Sequence, residues 1–157
     1  MILFYSSDKD GRRINGVDFL VNELLLPHVK HFGPVSNRIC YMRIADKYGD
    51  LILICVYAPT ETGSNDEKEM FFEELERLYD KLPNHCIKIF LGDFNAQVGN
   101  DIMYKPWVRG ESAHYISNGN GMRLIEYAIA KDLIITSNFF PRKLYKIHKV
   151  DKIYKHT

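Results

Sequence analysis

The sequence has few cysteines, the residues that cross-link small secreted domains and bind metal ions in small metal-binding domains. It contains three cysteines, Cys40, Cys55 and Cys86, and an odd count argues against a framework of disulfide bonds. The cysteines are far apart and each lies among apolar residues, and no CxxC or Cys/His spacing typical of a zinc site is present. We therefore expect reduced core thiols in an intracellular protein, with nuclear and cytoplasmic locations both open.

The chain also lacks an excess of charge of one sign and any long apolar run. Lysine and arginine number 21 and aspartate and glutamate 20, so the overall charge neither requires nor excludes a nucleic-acid partner. The apolar run MILF at the N terminus is too short for a signal peptide or a membrane span. We expect no membrane partner, and a length of 157 residues suits a single domain over residues 1–157.

Apolar runs separated by polar turns predict two β-hairpins in the first part of the chain. Residues 2–5 and 17–21 bracket the first turn, and residues 38–44 and 51–57 bracket a second turn that contains Gly49. The run 51–57 is apolar almost throughout, which favours a central strand covered on both faces. The apolar stretch that opens the sequence is typical of a strand without its preceding element. The sheet edge or apolar face left uncovered there predicts weaker folding or association.

Two helices are predicted further along. Residues 66–82 carry apolar side chains at helical spacing, with Ser64 or Asn65 as the cap and Pro83 as the stop. Residues 121–132 form the second, capped by Asn120. The apolar positions of the two helices are Met70, Phe71, Leu75, Leu78 and Leu82, and then Leu124, Ile125, Ala128 and Ile129.

Strands are predicted next to both helices, at 86–91 and 133–136. The order strand, helix, strand allows a parallel pairing of 51–57 with 86–91. Residues 100–119 show no period and are predicted to be a surface loop, in which His114 is either a substrate contact or an ordinary exposed histidine.

The segment FLGDFNAQVG, residues 90–99, places Asp93 and Asn95 at the carboxyl end of a predicted buried strand, where open α/β sheets bind their ligands. In an extended chain, residues two apart share a face, so both side chains would point into one cleft and Phe94 into the core. A carboxylate beside an amide suits the hydrolysis of phosphate esters. The alternative is an Asx turn in which both side chains bond only their own backbone.

Residues 142–157 are rich in lysine and arginine interleaved with tyrosine. Basic and aromatic side chains in this pattern can follow a phosphate backbone and stack on bases, which makes Arg142, Lys143 and Lys146 candidate substrate contacts. The alternative is a disordered basic tail, as chain ends commonly are.

Three motifs in order, VYAPT at 56–60, IFLGDFNAQVG at 89–99 and NGMRLIEYAIAKDLIITSNFFP at 120–141, resemble the endonuclease/exonuclease/phosphatase family, and within it the endonuclease domains of non-LTR retrotransposons. The resemblance implies a four-layer α/β sandwich that cuts phosphodiester bonds in DNA with Mg²⁺ or Mn²⁺ and no other cofactor. By position, it implies that Asp93 activates the attacking water and contributes to the metal site, that Asn95 is its companion, and that Tyr57 lies near the scissile phosphate.

The sequence departs from the family pattern at three places. The family's metal-binding glutamate belongs to a strand upstream of the matched region, Asp151 is followed by Lys152 where the family has an Asp-His pair, and Asp18 replaces a glycine. We therefore expect a domain that is incomplete at both ends and weakly active or inactive as given. The alternatives are a non-catalytic nucleic-acid-binding or vestigial domain, and a phosphatase that acts on a small phosphate ester.

Overall fold

The computed structural model describes residues 1–7, 15–108, 112, 114–137 and the backbone of 153–155. The described residues form two β-sheets and two α-helices. A six-stranded sheet has the order β3-β4-β5-β6-β8-β7, and β1 and β2 form a separate hairpin. The strands are β1 (Ile2–Ser7), β2 (Gly16–Val21), β3 (Val29–Pro34), β4 (Ile39–Ile44), β5 (Leu51–Tyr57), β6 (Ile87–Asp93), β7 (Leu133–Ile135) and β8 (Ile153–Lys155), and the helices are α1 (Asn65–Lys81) and α2 (Gly119–Ala130).

The main sheet is mixed. β3 pairs antiparallel with β4, and β4 with β5, whereas β5 and β6 are parallel in continuous register from the pair Leu51 and Ile87 to the pair Tyr57 and Asp93. The second predicted hairpin and the parallel pairing are thus both confirmed. Because parallel strands end at the same edge, the residues that follow β5 and β6 lie side by side.

The helices cover one face of this sheet and enclose the larger core. Every second residue of β5 faces them, and Ile52, Ile54 and Val56 are fully buried. Phe90 of β6 stacks on Tyr79 of α1 at 6.0 Å between ring centroids. Burial of such apolar area, at roughly 25 cal/mol per Å², is what holds both helices on the sheet.

Both predicted helices are present, and they differ from the prediction in one cap and in two of the residues expected in the core. Ser64, one of the two predicted caps, caps α1, and it forms a capping box with Glu67. Met70 and Ile129, expected in the core, are instead 66% and 37% exposed, because each lies beside the apolar stripe rather than in it. Asn118, not Asn120, caps α2.

The hairpin β1–β2 covers the opposite face of the sheet. Phe4 contacts Phe32 of β3 with 5.4 Å between ring centroids, and Val17 and Val21 are buried together with Cys40 and Met42. Hairpin, sheet and helices make three layers in the described residues. On the outward face of the hairpin, Leu3 and Leu20 are each more than half exposed.

The three cysteines are free thiols. Cys40 and Cys55 are register partners on β4 and β5. A hydrogen bond with the Cys55 thiol, followed by burial, raises the pKa of Cys40. Cys40 is therefore a protonated, unreactive thiol at neutral pH.

Four elements of the described residues have no counterpart in the sequence predictions. Residues 23–28 form a 3₁₀ helix that leads into the edge strand β3. A second short 3₁₀ helix, Ile102–Tyr104, interrupts the predicted loop 100–119. Residues 153–155, within the segment predicted as a basic tail, form β8 between β6 and β7, whereas 142–152, 156 and 157 lie outside the described residues.

Candidate functional site

The adjacent ends of β5 and β6 are the framework of the candidate site. Tyr57 and Asp93 are the last register partners of the two strands, so their side chains point to the same face of the sheet, the face that the hairpin covers. The strands stay joined for one further step, because the Ala58 N–H donates to the Asp93 carbonyl oxygen at 2.9 Å. Gly92 permits this approach, since a Cβ there would collide with the Val56 carbonyl.

The loop after β6 turns back sharply at Asn95. The Asn95 N–H donates to Asp93 Oδ1 at 2.7 Å, which is the Asx turn considered for this motif. Asn95 has φ 49°, so the chain is not extended here and the expected alternation of faces stops after Phe94, which is fully buried as predicted. The Asn95 amide is not confined to its own backbone, because Nδ2 donates to the Ala58 carbonyl at 2.8 Å. The turn and a long-range link therefore coexist.

The N terminus of α2 joins the two strand-end loops. Asn120 is 2% exposed, and its Nδ2 donates to the Pro59 carbonyl at 2.9 Å and to the Asn95 carbonyl at 3.1 Å. Glu61 accepts from the backbone N–H groups of Gly119 and Asn120, where the positive end of the helix dipole favours a carboxylate. The sequence predicted a capping role for Asn120 and no role for Glu61. The only sequence signal at Glu61 was its position before α1.

Tyr57 lines a cleft of about 400 Å³ against the hairpin, together with Tyr5, Ser6 and Asp18. The Arg38 guanidinium lies 5.5 Å from the centre of the Tyr57 ring and its Nη1 donates to the Tyr57 carbonyl at 3.1 Å. This places a cation beside the predicted phosphate-contacting tyrosine. Arg38 was predicted only as the start of a strand, and nothing in the sequence signalled its proximity to Tyr57.

The remaining predicted contacts are not brought to this site by anything the structure describes. The His114 N–H donates to the Ser112 hydroxyl at 3.0 Å, and no described contact joins it to Tyr57, Asp93 or Asn95. Arg142, Lys143 and Lys146 lie outside the described residues. Their roles as substrate contacts stay predictions.

The described residues do not offer a complete metal site. Within 1–7, 15–108, 112 and 114–137, no three His, Cys, Asp or Glu side chains come together in a way that could hold a metal ion. A divalent cation such as Mg²⁺ prefers several oxygen ligands in near-octahedral arrangement. Asp93 is the one candidate ligand that both the motif and the described strand ends supply, and one carboxylate does not fit that requirement.

The sequence is similar to two mammalian proteins that share one name. No family model matches it. Craniofacial development protein 2 of Bos taurus is 30% identical over 156 residues, which cover 98% of this chain and 26% of that protein, and the protein of the same name from Tragulus javanicus is 29% identical over 146 residues, covering 91% and 25%. The chain thus spans about a quarter of the length of these relatives.

The fold is similar to that of a retrotransposon endonuclease domain. The endonuclease domain of TRAS1, a telomere-specific non-LTR retrotransposon, superimposes with a TM-score of 0.59 and 15% identity, over 97% of this chain and 64% of that one. The α/β fold class is confirmed by this likeness, and the resemblance seen in the motifs agrees with it. Among the helices of the described residues, none has the length and apolar character needed to cross a membrane.

Proposed function

We propose that the chain is a DNA-endonuclease-like phosphodiesterase domain, derived from a retrotransposon, in which Asp93, Asn95 and Tyr57 form the reaction centre and which has little or no cleavage activity by itself. The observation that carries the proposal is the register pairing of Tyr57 with Asp93 at the carboxyl ends of two parallel strands. The names of the structural neighbour and the order of the motifs support DNA as the substrate.

The proposed roles follow from the hydrogen bonds. The Asn95 N–H fixes one carboxylate oxygen of Asp93, Oδ1, and the other oxygen takes part in no hydrogen bond given by the described residues. This free oxygen is the proton acceptor for an attacking water. The Asn95 side chain holds the turn to the end of β5, which fixes the distance between the base and Tyr57.

Tyr57 and Arg38 serve the substrate rather than the water. The Tyr57 side chain points to the hairpin side, as Asp93 does, and lines the cleft there. A phenol hydroxyl donates to a phosphoryl oxygen, and a nearby guanidinium attracts the phosphate charge. Orientation of the phosphate against Asp93 is the contribution of this pair.

Family members use Mg²⁺ or Mn²⁺, which supplies charge stabilisation of the transition state. Because the described residues lack the ligand set for it, the chemistry assigned to this chain ends at substrate orientation and proton acceptance. General acid–base catalysis alone is worth about 10²- to 10⁴-fold, far below the acceleration that phosphodiester hydrolysis needs. Low activity of the isolated chain follows.

A non-catalytic nucleic-acid-binding domain is the second candidate. The absence of a ligand cluster from the described part of the chain favours it. Both candidates predict DNA binding, and they differ in whether any residual cleavage by the chain depends on Asp93.

The first experiment measures Mg²⁺-dependent nicking of supercoiled plasmid by the purified chain and by Asp93→Asn. This substitution removes the negative charge but keeps an oxygen that can accept from Asn95, so the turn is preserved. We expect no nicking by either protein, and binding of duplex DNA by both in a fluorescence anisotropy assay.

Two results would change the proposal. Nicking by the parent chain that Asp93→Asn abolishes would show that the site works without a complete metal-ligand set. If circular dichroism shows that the chain is folded and the chain binds no DNA, DNA is removed as the substrate. A small phosphate ester is then left as the alternative.

A further inference from the structure

A second cleft, of about 360 Å³, lies between the edge of the main sheet and the C-terminal end of α1. Its polar wall consists of Lys30, His31, Tyr41, Arg43 and Lys81, and we refer to it as the basic cleft. Ile52 and Leu82 contribute apolar surface to it. Three of its five polar side chains are lysine or arginine, although the chain as a whole is nearly neutral.

The basic cleft is remote from the candidate site. It adjoins Ile52, the second residue of β5, whereas Tyr57 is the last. Five residues of an extended strand span about 17 Å, so the two clefts lie at opposite ends of the sheet. None of the residues assigned to cleavage lines the basic cleft.

Asp50 organises the basic side chains without neutralising them. It is 8% exposed and accepts from Lys30 Nζ at 2.8 and 3.0 Å and from Arg43 Nε at 2.6 Å. Lys30, Arg43 and Lys81 against this one carboxylate leave two positive charges. Because Arg43 uses Nε for Asp50, its two terminal amino groups are available, and no described residue forms an ion pair with Lys81.

An aromatic surface adjoins these charges. The Tyr41 ring lies over Gly33 and occupies the space that a Cβ would need there. The His31 ring is next to it, with 5.4 Å between the ring centroids and 38° between the planes. His31 is exposed and Tyr41 half-buried, so the rings are accessible from the cleft. Flat rings beside cations are the arrangement that binds nucleotides through stacking and phosphate contacts.

We propose that the basic cleft binds a phosphate ester that carries a planar base, that is, one nucleotide unit. Arg43 and Lys81 bind the phosphate, and His31 and Tyr41 contact the base. The cleft volume suits a ligand larger than inorganic phosphate alone. The unit comes either from a nucleic-acid strand that passes this end of the sheet or from a free nucleotide. The proposal does not depend on cleavage at Asp93.

The test uses the full chain and four probes: a fluorescein-labelled single-stranded DNA 12-mer, adenosine monophosphate, inorganic phosphate and poly-glutamate. The main variant is His31→Ala/Lys81→Gln, because both side chains are exposed and neither contacts Asp50. The matched control is Lys47→Gln, which removes the same charge from an exposed lysine that does not line the cleft.

We expect the double variant to bind the 12-mer about tenfold more weakly, in line with the loss of one stacking contact and one phosphate contact, and the control to change affinity less than twofold. The plot of log affinity against log salt concentration should become less steep by about 0.7, because one phosphate contact with the single strand is lost. An equal loss of affinity for adenosine monophosphate identifies a pocket for free nucleotide, whereas a loss for the 12-mer alone identifies a strand-binding surface.

Equal affinities of the parent, double variant and control for both nucleotide probes would overturn the proposal, as would a preference for poly-glutamate over the 12-mer, which indicates an acidic protein partner. Binding of inorganic phosphate as tight as that of adenosine monophosphate would remove the base contact. The result is separable from the proposed cleavage, because Asp93→Asn leaves the basic cleft unchanged.

Discussion

Asn95 combines a backbone role with a side-chain role. Its φ of 49° lies in the left-handed region, which costs roughly 1 kcal/mol for most residues with a Cβ but little for asparagine or glycine. Its amide also links the loop after β6 to the end of β5 through the Ala58 carbonyl. A carboxylate at Asp93 depends on both features for its position.

These two contributions can be separated by substitution. Asn95→Gly removes the hydrogen bond but accepts the backbone angle, so we expect the free energy of unfolding to fall by about 1 kcal/mol. Asn95→Ala removes the bond and also strains the backbone, and we expect a loss of about 2 kcal/mol. Urea unfolding monitored by circular dichroism measures both values.

A result in which glycine costs as much as alanine would contradict this division, since backbone strain would then contribute nothing. The comparison needs no activity, so it holds whether or not the chain cleaves DNA.

The elements predicted best from the sequence are those whose sequence signals lie within or next to the element itself. The capping box of α1 is complete in four consecutive residues, from Ser64 to Glu67, and the parallel run of β5 and β6 follows from apolar strands on either side of a helix. The role of Asn120 was misread because its partners, the carbonyls of Pro59 and Asn95, are distant in sequence. The strand β3 was missed because it ends in Gly33-Pro34, residues that are acceptable only at a sheet edge.

The same distinction applies to the candidate site. The motif residues Asp93 and Tyr57 lie where their sequence context placed them, at neighbouring strand ends. The Arg38 and Glu61 contacts depend on how two hairpins and a helix pack, and no local pattern encodes that.

At the level of elements, Asp50 joins β3 and β4 to the start of β5. Hydrogen bonds from Lys30 and then Arg43 hold the pKa of Asp50 below its ordinary value. A carboxyl group whose pKa is lower in the folded than in the unfolded state stabilises the fold at pH values above its unfolded-state pKa. This stabilisation is lost as the pH falls through the folded-state pKa. The loss therefore belongs below about pH 4, the ordinary range of an aspartate.

We expect the stability difference between the parent chain and Asp50→Asn to be largest at neutral pH and to shrink below about pH 4. Urea unfolding at intervals between pH 7 and pH 3 measures it. Lys30→Gln serves as the partner control, because it should move the acid-induced loss of stability to higher pH. A difference that stays constant over this range would show that the pairing with Lys30 and Arg43 does not favour the ionised carboxylate.

At the scale of the whole molecule, the sheet depends on β8. β6 and β7 both pair with β8, and the sheet order gives them no direct pairing with each other. The fully buried side chains of Leu133 and Ile135 on β7 belong to the main core, so the docking of β7 and the closure of the sheet are linked.

Deletion of residues 138–157 should therefore lower the midpoint of thermal unfolding by several degrees, because an unpaired edge at β6 loses backbone hydrogen bonds worth about 1 kcal/mol each. Deletion of 156 and 157 alone is the control and should have little effect. Differential scanning calorimetry measures both. Equal stability of the long deletion and the parent chain would support the alternative prediction of a basic tail over 142–157.

The position of β8 has a consequence for synthesis. The last residue of β6 is Asp93 and the first of β8 is Ile153, so at 5 to 20 residues per second the ribosome needs about 3 to 12 s to go from one to the other. Throughout that interval the nascent chain has a gap in its sheet, and the open edge of β6 is available to any extended segment nearby, including that of a neighbouring nascent chain. Production of this protein should therefore be sensitive to the supply of chaperones that shield strand edges during translation.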